Sequence, residues 1–448
     1  MSIRVGFVSL GCPKNQMDLE LMLARVNGDG GFEIVEDDIH ADVMIVNTCA
    51  FIKSAKEESI ETILDLNWLR TNRSLRGIVV TGCMAQRYFD QIKKEMPEVD
   101  AVLAPGCEDR ICEAIREVYE GRKLFCHAPA EDLCMEGDRV VTTPPYTAYL
   151  RIAEGCDNRC SYCSIPDIRG RFRSRNPDDI IAEAKTLRAL GVRELCIIAQ
   201  DTTRYGLDLF GEYSLDKLLE KICEEVPDFD WIRLFYCYPD KITDSLIETM
   251  ASHPQIAHYI DMPIQHISAT VLERMNRHGG PEVIRDAVKR LRERIPDITI
   301  RTTVMVGFPG ETGKDFEELL AFVKECRFDR LGCFTYSREE GTPAYRFEPR
   351  VPEKTKTRRM ERIMEAQYQI AAENGAALSG SVLKVLTEGY DPVSERWFGR
   401  SVGYAPEIDG RVYFTSRRKP AVGEFADVKI TEALDYDLLG EAVRGDKA

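Results

Sequence analysis

The sequence predicts a multidomain α/β protein: an N-terminal domain on a parallel sheet, a central partial (β/α)6 TIM-like barrel, and a small C-terminal all-β barrel. Three observations predict it. The chain has 448 residues, more than one ordinary hydrophobic core sustains. From residue 3 to about 340, strand-sized apolar runs alternate with helical patterns in two successive series. From about 378 the helical period gives way to short strands between Gly, Pro and Asp turns.

The elements follow in order. "IRVGFVSLGC", "ADVMIVNTC" and "GIVVTGC" are each followed by a helical stretch, at 15–27, 54–70 and 85–95. That β-α-β-α-β-α grammar makes the strands parallel and places an N-terminal domain at 3–121. Residues 122–146, ending in "TTPPY", read as a linker. Six strand candidates then span 147 to about 340: "AYLRIAEG", "ELCIIAQD", "WIRLFYC", "HYIDMP", "TIRTTVMVGF" and "GCFTYS". Helical patterns such as 178–190 and 315–326 lie between them, with Pro177 at a first-turn position, and a charged helix from Glu353 closes this domain at 377. Residues 378–448 carry "SVLKVLTEG", "RWFGRSVG", "GRVYFT" and "ADVKITEAL", a barrel of about five strands.

Composition narrows the function. Sixty Lys and Arg against 75 Asp and Glu give a formal charge of −15, which disfavours broad, nonspecific phosphate binding. The start of the chain lacks the pattern of a secretory signal and the apolar runs are short, so a cytoplasmic location is expected. Fifteen cysteines, an odd number, argue against a disulfide framework and for metal, redox or buried thiols.

"GCDNRCSYCSIP" places Cys156, Cys160 and Cys163 within eight residues, close enough to wrap one inorganic body. Structural zinc usually needs four ligands in two pairs, and a redox C-x2-C pair leaves Cys156 unexplained. A four-iron four-sulfur cluster held by three thiolates has one iron open to a small molecule, which makes it a reagent. Cys12, Cys49 and Cys83 form a second, dispersed triad. Each ends a predicted parallel strand, the edge where open α/β sheets collect ligands, so a second cluster is expected there. Cys107 also follows a strand-like run and stays open as a fourth ligand or a bystander.

The first loop resembles the signature of radical S-adenosylmethionine enzymes. The resemblance implies that the open iron chelates S-adenosylmethionine, and that Tyr162, before the third cysteine, lies near the adenine; loop packing is the plain alternative. The two triads with a C-terminal β-barrel of TRAM type, similar to an OB fold, resemble the methylthiotransferases over nearly the whole chain. That implies two 4Fe-4S clusters, two S-adenosylmethionine molecules per turnover, a one-electron donor such as flavodoxin or ferredoxin, and an unidentified sulfur donor. "SLGCPKN", "AQDTTRYG", "DMPIQH" and "YAPEIDG" resemble the branch that modifies an aspartate β-carbon of the small-subunit ribosomal protein numbered twelve. The alternatives are a methylthiotransferase for N6-isopentenyladenosine of transfer RNA, and a noncatalytic iron-sulfur or zinc redox sensor. Residues 376–448 hold ten basic and twelve acidic side chains, poor for gripping RNA, although Arg417, Arg418 and Lys419 form a local basic patch.

Other motifs carry weaker readings. "VGFPGET" resembles the cofactor-side strand end of the same family through Gly307, or is an ordinary turn. Gln200 and Asp201 in "AQDTTRYG" meet the cofactor or cap a helix. Arg301 offers a charge to the cofactor carboxylate or pairs on the surface. His266 is a candidate for the active-site wall or a satisfied core histidine. Cys196, Cys223, Cys237, Cys326 and Cys333 are expected in the core.

Overall fold

The computed structural model describes residues 2–36 and 39–443, so the last five residues expected in the third domain lie outside the described residues. Strands β1 (Ile3–Ser9), β2 (Phe32–Ile34), β3 (Val43–Thr48), β4 (Gly77–Gly82), β5 (Ala101–Leu103) and β6 (Leu124–Cys126) form one parallel sheet in the order β2-β1-β3-β4-β5-β6. Every residue of β3 and β4 is buried, because helices cover both faces, which is why these strands read as unbroken apolar runs.

Two expectations are corrected in this sheet. Residues 124–126, expected in the linker, pair with β5 through Leu103 and Cys126. Three residues are too few to show a strand period, and an available sheet edge rather than propensity makes them a strand. The helix expected over 85–95 is split at Tyr88 into Cys83–Arg87 and Phe89–Glu95.

The second sheet contains all six expected strands. These are β7 (Thr147–Arg151), β10 (Glu194–Ile198), β11 (Trp231–Leu234), β12 (Ile256–Asp261), β13 (Thr299–Val306) and β14 (Arg330–Thr335), with a small antiparallel pair, β8 (Ala153–Glu154) and β9 (Arg173–Ser174), beside them. The order β14-β13-β12-β11-β10-β7 is an open parallel arc. Pro177 begins the helix Pro177–Ala189, and the Asn176 side chain caps it by accepting from the Asp178 amide. The helix Glu353–Ala377 packs on β14 and leads out.

Strands β15 (Val382–Asp391), β16 (Arg396–Ser401), β17 (Val412–Thr415), β18 (Phe425–Leu434) and β19 (Asp437–Ala442) close into a barrel around Val385, Val412, Phe414, Val428 and Leu438. This domain covers the amino ends of the arc. Arg400 and Arg233 both grip Glu194, the first residue of β10, at 2.6 and 2.8 Å. From "YAPEIDG", Ala405 packs against Tyr149, Cys196 and Tyr259 in the arc's interior, and Tyr259 Oη donates to Asp409 at 2.9 Å. Met17 of the first domain belongs to the same apolar cluster, so the first and third domains both contribute to the arc's interior. Among the described residues, no helix is long and apolar enough to cross a membrane.

Candidate active site

Adjacent strands deliver the dispersed triad to one place. Cys12 lies three residues past β1, while Cys49 and Cys83 directly follow β3 and β4, and β1, β3 and β4 are neighbours in the sheet. Gly11, at φ 100°, shows how tight the approach is: a Cβ there would lie 2.9 Å from Cys49 Cβ and 3.2 Å from its Sγ. Asn15 ties the strand ends together, donating to the carbonyls of Leu10 and Thr48 at 3.1 and 2.9 Å and accepting from Cys83 Sγ at 3.3 Å. Burial pushes the Cys83 thiol up to about 12, with the Arg169 guanidinium pulling the other way.

The loop of Cys156, Cys160 and Cys163 sits past β8 and is held by backbone bonds from three directions. Cys156 N–H donates to the Gly170 carbonyl at 3.2 Å, Ser161 N–H to Met275 at 2.9 Å, and Ala344 N–H to the Ser161 carbonyl at 2.8 Å. Beneath it, Asp201 accepts from Asn158 of the loop at 2.7 Å and from Lys241 at 2.8 Å. Cys160 Sγ lies 3.6 Å from Tyr238 Oη and 4.0 Å from Arg277 Nη1. Burial pushes the Cys156 thiol up to about 11.

Among the described residues, no three His, Cys, Asp or Glu side chains group tightly enough to hold a single metal ion. The donor set suits a larger body. Each triad gathers three mutually interacting thiols, and each has a buried guanidinium, Arg169 or Arg277, placed to offset the charge of thiolates.

The other expected site residues are distributed unevenly. The Tyr162 ring meets Phe308 edge-on at 6.4 Å, so it adjoins the "GFPG" turn, in which Gly307 takes φ 76°. Gln200 donates to Glu154, next to the loop, while its buried Oε1 has no partner among the described residues. Asp201 is fully buried, with Asn158, Thr203 and Lys241 on its carboxylate, so it supports the loop from below. Arg301 does not pair on the open surface: it pairs with buried Asp261 at 2.8 Å and reaches Asp409 at 3.7 Å. His266 is fully buried, its Nδ1 accepting from the Ser268 amide at 3.0 Å while its Nε2 has no partner among the described residues.

Cys107 is bonded to Cys126, so it is not a fourth ligand, and the reading against disulfides is corrected for this one pair at the ends of β5 and β6. The five cysteines expected in the core are free and buried. Sequence reasoning missed Arg169, Glu154, Lys241, Arg277 and Tyr238, because their roles depend on partners far away in the chain. Lys14 and Asn15 were visible only as letters of "CPKN".

The chain matches the Radical SAM superfamily over residues 150–323, the Uncharacterized protein family UPF0004 over 4–104 and the TRAM domain over 380–443. Among solved structures it resembles the radical S-adenosylmethionine methyltransferase TsrM from Kitasatospora setae, with a TM-score of 0.56 at 17% identity, covering 77% of this chain and 74% of that one. At that identity the likeness shows the fold. Three relatives carry the name "Ribosomal protein uS12 methylthiotransferase RimO". The one from Desulforamulus reducens is 48% identical, covering 98% of this chain and 99% of its own. The one from Pelotomaculum thermopropionicum is 49% identical, covering 99% and 100%. The one from Geobacter sulfurreducens is 47% identical, covering 98% of each. With two thiol triads, an open parallel arc and a closed β-barrel in one chain that aligns end to end with these relatives, the protein belongs to the ribosomal protein uS12 methylthiotransferase family.

Proposed function

We propose that this enzyme adds a methylthio group to the β-carbon of an aspartate in ribosomal protein uS12. Cys156, Cys160 and Cys163 would hold one 4Fe-4S cluster, and Cys12, Cys49 and Cys83 a second. Bound there with two S-adenosylmethionine molecules per turnover, the clusters would supply the radical and carry the sulfur. The chain's own task is to bind, orient and exclude water. Tyr162 and Gly307 would line the cofactor side, where the unpartnered Gln200 Oε1 would accept from a bound cofactor. Asp201 and Arg301 act as positioning residues, the first under the loop and the second in the Asp261–Asp409 network.

The observation that carries this reading is that one strand end serves both triads. Past β11, Tyr238 lies 3.6 Å from Cys160 Sγ, while Tyr236 stacks under Lys14, two residues after Cys12. The domains divide best at 3–121, 122–146, 147–377 and 378–448, with residues 124–126 joining the first sheet. Partners are the ribosome or free uS12, a one-electron donor of the flavodoxin or ferredoxin kind, and a sulfur donor; the working compartment is the cytoplasm.

Anaerobic reconstitution should give iron and sulfide for two clusters, and triple Ala variants of either triad should each lose about half. Mass spectrometry of uS12 and transfer RNA, from cells with and without the gene, should show the methylthio group lost from uS12. Loss from the RNA alone would overturn the assignment.

A further inference from the structure

Lys14 is a buried lysine with no carboxylate partner among the described residues. It lies at the start of the helix Pro13–Asp29 and is 7% exposed. Its Nζ stands 3.2 Å from the centroid of the Tyr236 ring. Burying an ammonium without a counter-ion is unfavourable, and an aromatic face offsets only part of that cost. Such a position suits an anion that arrives with a ligand.

The chain also says where that anion would sit. Tyr236 and Tyr238 are two residues apart, a reach of about 7 Å. Tyr238 touches Cys160 of one triad, and Tyr236 meets Lys14 beside Cys12 of the other. The Tyr236 backbone takes φ 60° and is held on both sides, its N–H donating to Asp261 and its carbonyl accepting from the Thr202 amide. The ammonium therefore stands beside Cys12 of one triad, over a segment whose next tyrosine reaches Cys160 of the other.

We propose that Lys14, with Tyr236 beneath it, receives the carboxylate of the target aspartate and selects that side chain over a neutral nucleobase. This rests on the uS12 reading above and names the residue that enforces it. The carboxyl carbon is bonded directly to the β-carbon, so a charge-assisted hydrogen bond to a carboxylate oxygen holds the reacting carbon two bonds from a fixed atom. Lys14 acts through charge and hydrogen bonding and forms no covalent bond.

The test uses the reconstituted holoenzyme and purified uS12 carrying either Asp or Asn at the modified position. Wild type should bind the Asp form at least about tenfold more tightly, the margin of one charge-assisted hydrogen bond. Lys14→Met should erase that preference by weakening the Asp form alone, and Lys14→Arg should restore most of it. Iron and sulfide per chain should be unchanged in both variants. The proposal is overturned if wild type shows no preference, if Lys14→Met keeps it, or if Lys14→Met weakens both forms equally. Loss of iron from Lys14→Met overturns it too, by assigning the ammonium to the thiols. Failure of the parent reading looks different: wild type then leaves uS12 unmodified.

Discussion

Arg169 Nη2 donates to Cys83 Sγ across 3.6 Å, so a residue just past one cysteine loop touches a thiol of the other triad. The same guanidinium pairs with Asp18 at 2.7 Å and Glu154 at 3.3 Å, and Arg151 holds the same two carboxylates at 2.6 and 3.0 Å. The four charges balance inside the protein. Asp18 comes from the first domain and the other three from the second, so the quartet sets the register in which the two triads face each other.

Arg169→Met should therefore destabilise the protein by about 3–5 kcal/mol, because Asp18 and Glu154 keep only one guanidinium between them. Denaturant midpoints under anaerobic conditions measure this. Iron retained in a variant lacking Cys156, Cys160 and Cys163 should fall as well, since Cys83 loses its donor. A midpoint within about 1 kcal/mol of wild type would sink the account.

The Lys241–Asp201 pair makes a second prediction. Both residues are buried, and Asp201 holds Asn158 of the cluster loop. Lys241→Met alone should cost about 3–5 kcal/mol, while the double variant Lys241→Met, Asp201→Asn should recover much of it, because no uncompensated charge remains. A double variant as unstable as the sum of the singles would show that the pair is not the relevant unit.

His266 predicts a pH dependence. Burial lowers its pKa from 6.5 to about 4, with Asp315 opposing and Arg359 assisting. Geometry agrees: Nδ1 accepts from the Ser268 amide, so it has no room for a second proton. A depressed folded-state pKa means that the unfolded chain takes up the proton first as pH falls. The contribution is fully present above about 6.5 and is lost as pH falls through about 4, an effect of about 3 kcal/mol. His266→Gln should flatten the pH profile of the unfolding free energy over that window; an unchanged slope would refute the assignment.

Glu194 makes the fourth. Burial alone would raise its pKa, but Arg400 and Arg233 outweigh that and hold it down at about 2. Its contribution is present above about 4.5 and lost as pH falls toward 2. At neutral pH, Glu194→Gln leaves buried Arg233 without a carboxylate and Arg400 with Glu388 alone, which should cost about 3–5 kcal/mol and loosen the third domain. Limited proteolysis should then cut faster near residues 378–381, between the helix Glu353–Ala377 and β15. Cutting at the wild-type rate would mean that the domain is held elsewhere.

The architecture was legible where local pattern and final environment coincide. β3 and β4 are buried on both faces and read as apolar runs, as does β10 of the arc, while β13 and β14 alternate buried with less buried residues. β6 was not legible, because three residues become a strand only when β5 offers an edge. The partners of Arg301 were not legible for a related reason: only the fold brings Asp261 and Asp409 to it.

The sequence by itself determined the reagents. Thiol spacing is a property of the chain, so three cysteines in eight residues, and three at successive strand ends, raise the expectation of two metal-holding sites before any folding is known. Only the tertiary structure decided how those sites are joined. Asp18 and Arg169, Lys14 and Tyr236, and Asp201 and Lys241 are distant along the chain, and no periodicity records which charge will be buried against which. Charge pairing acts through space while sequence patterns act along the backbone, and that is the physical reason one could be read and the other had to be seen.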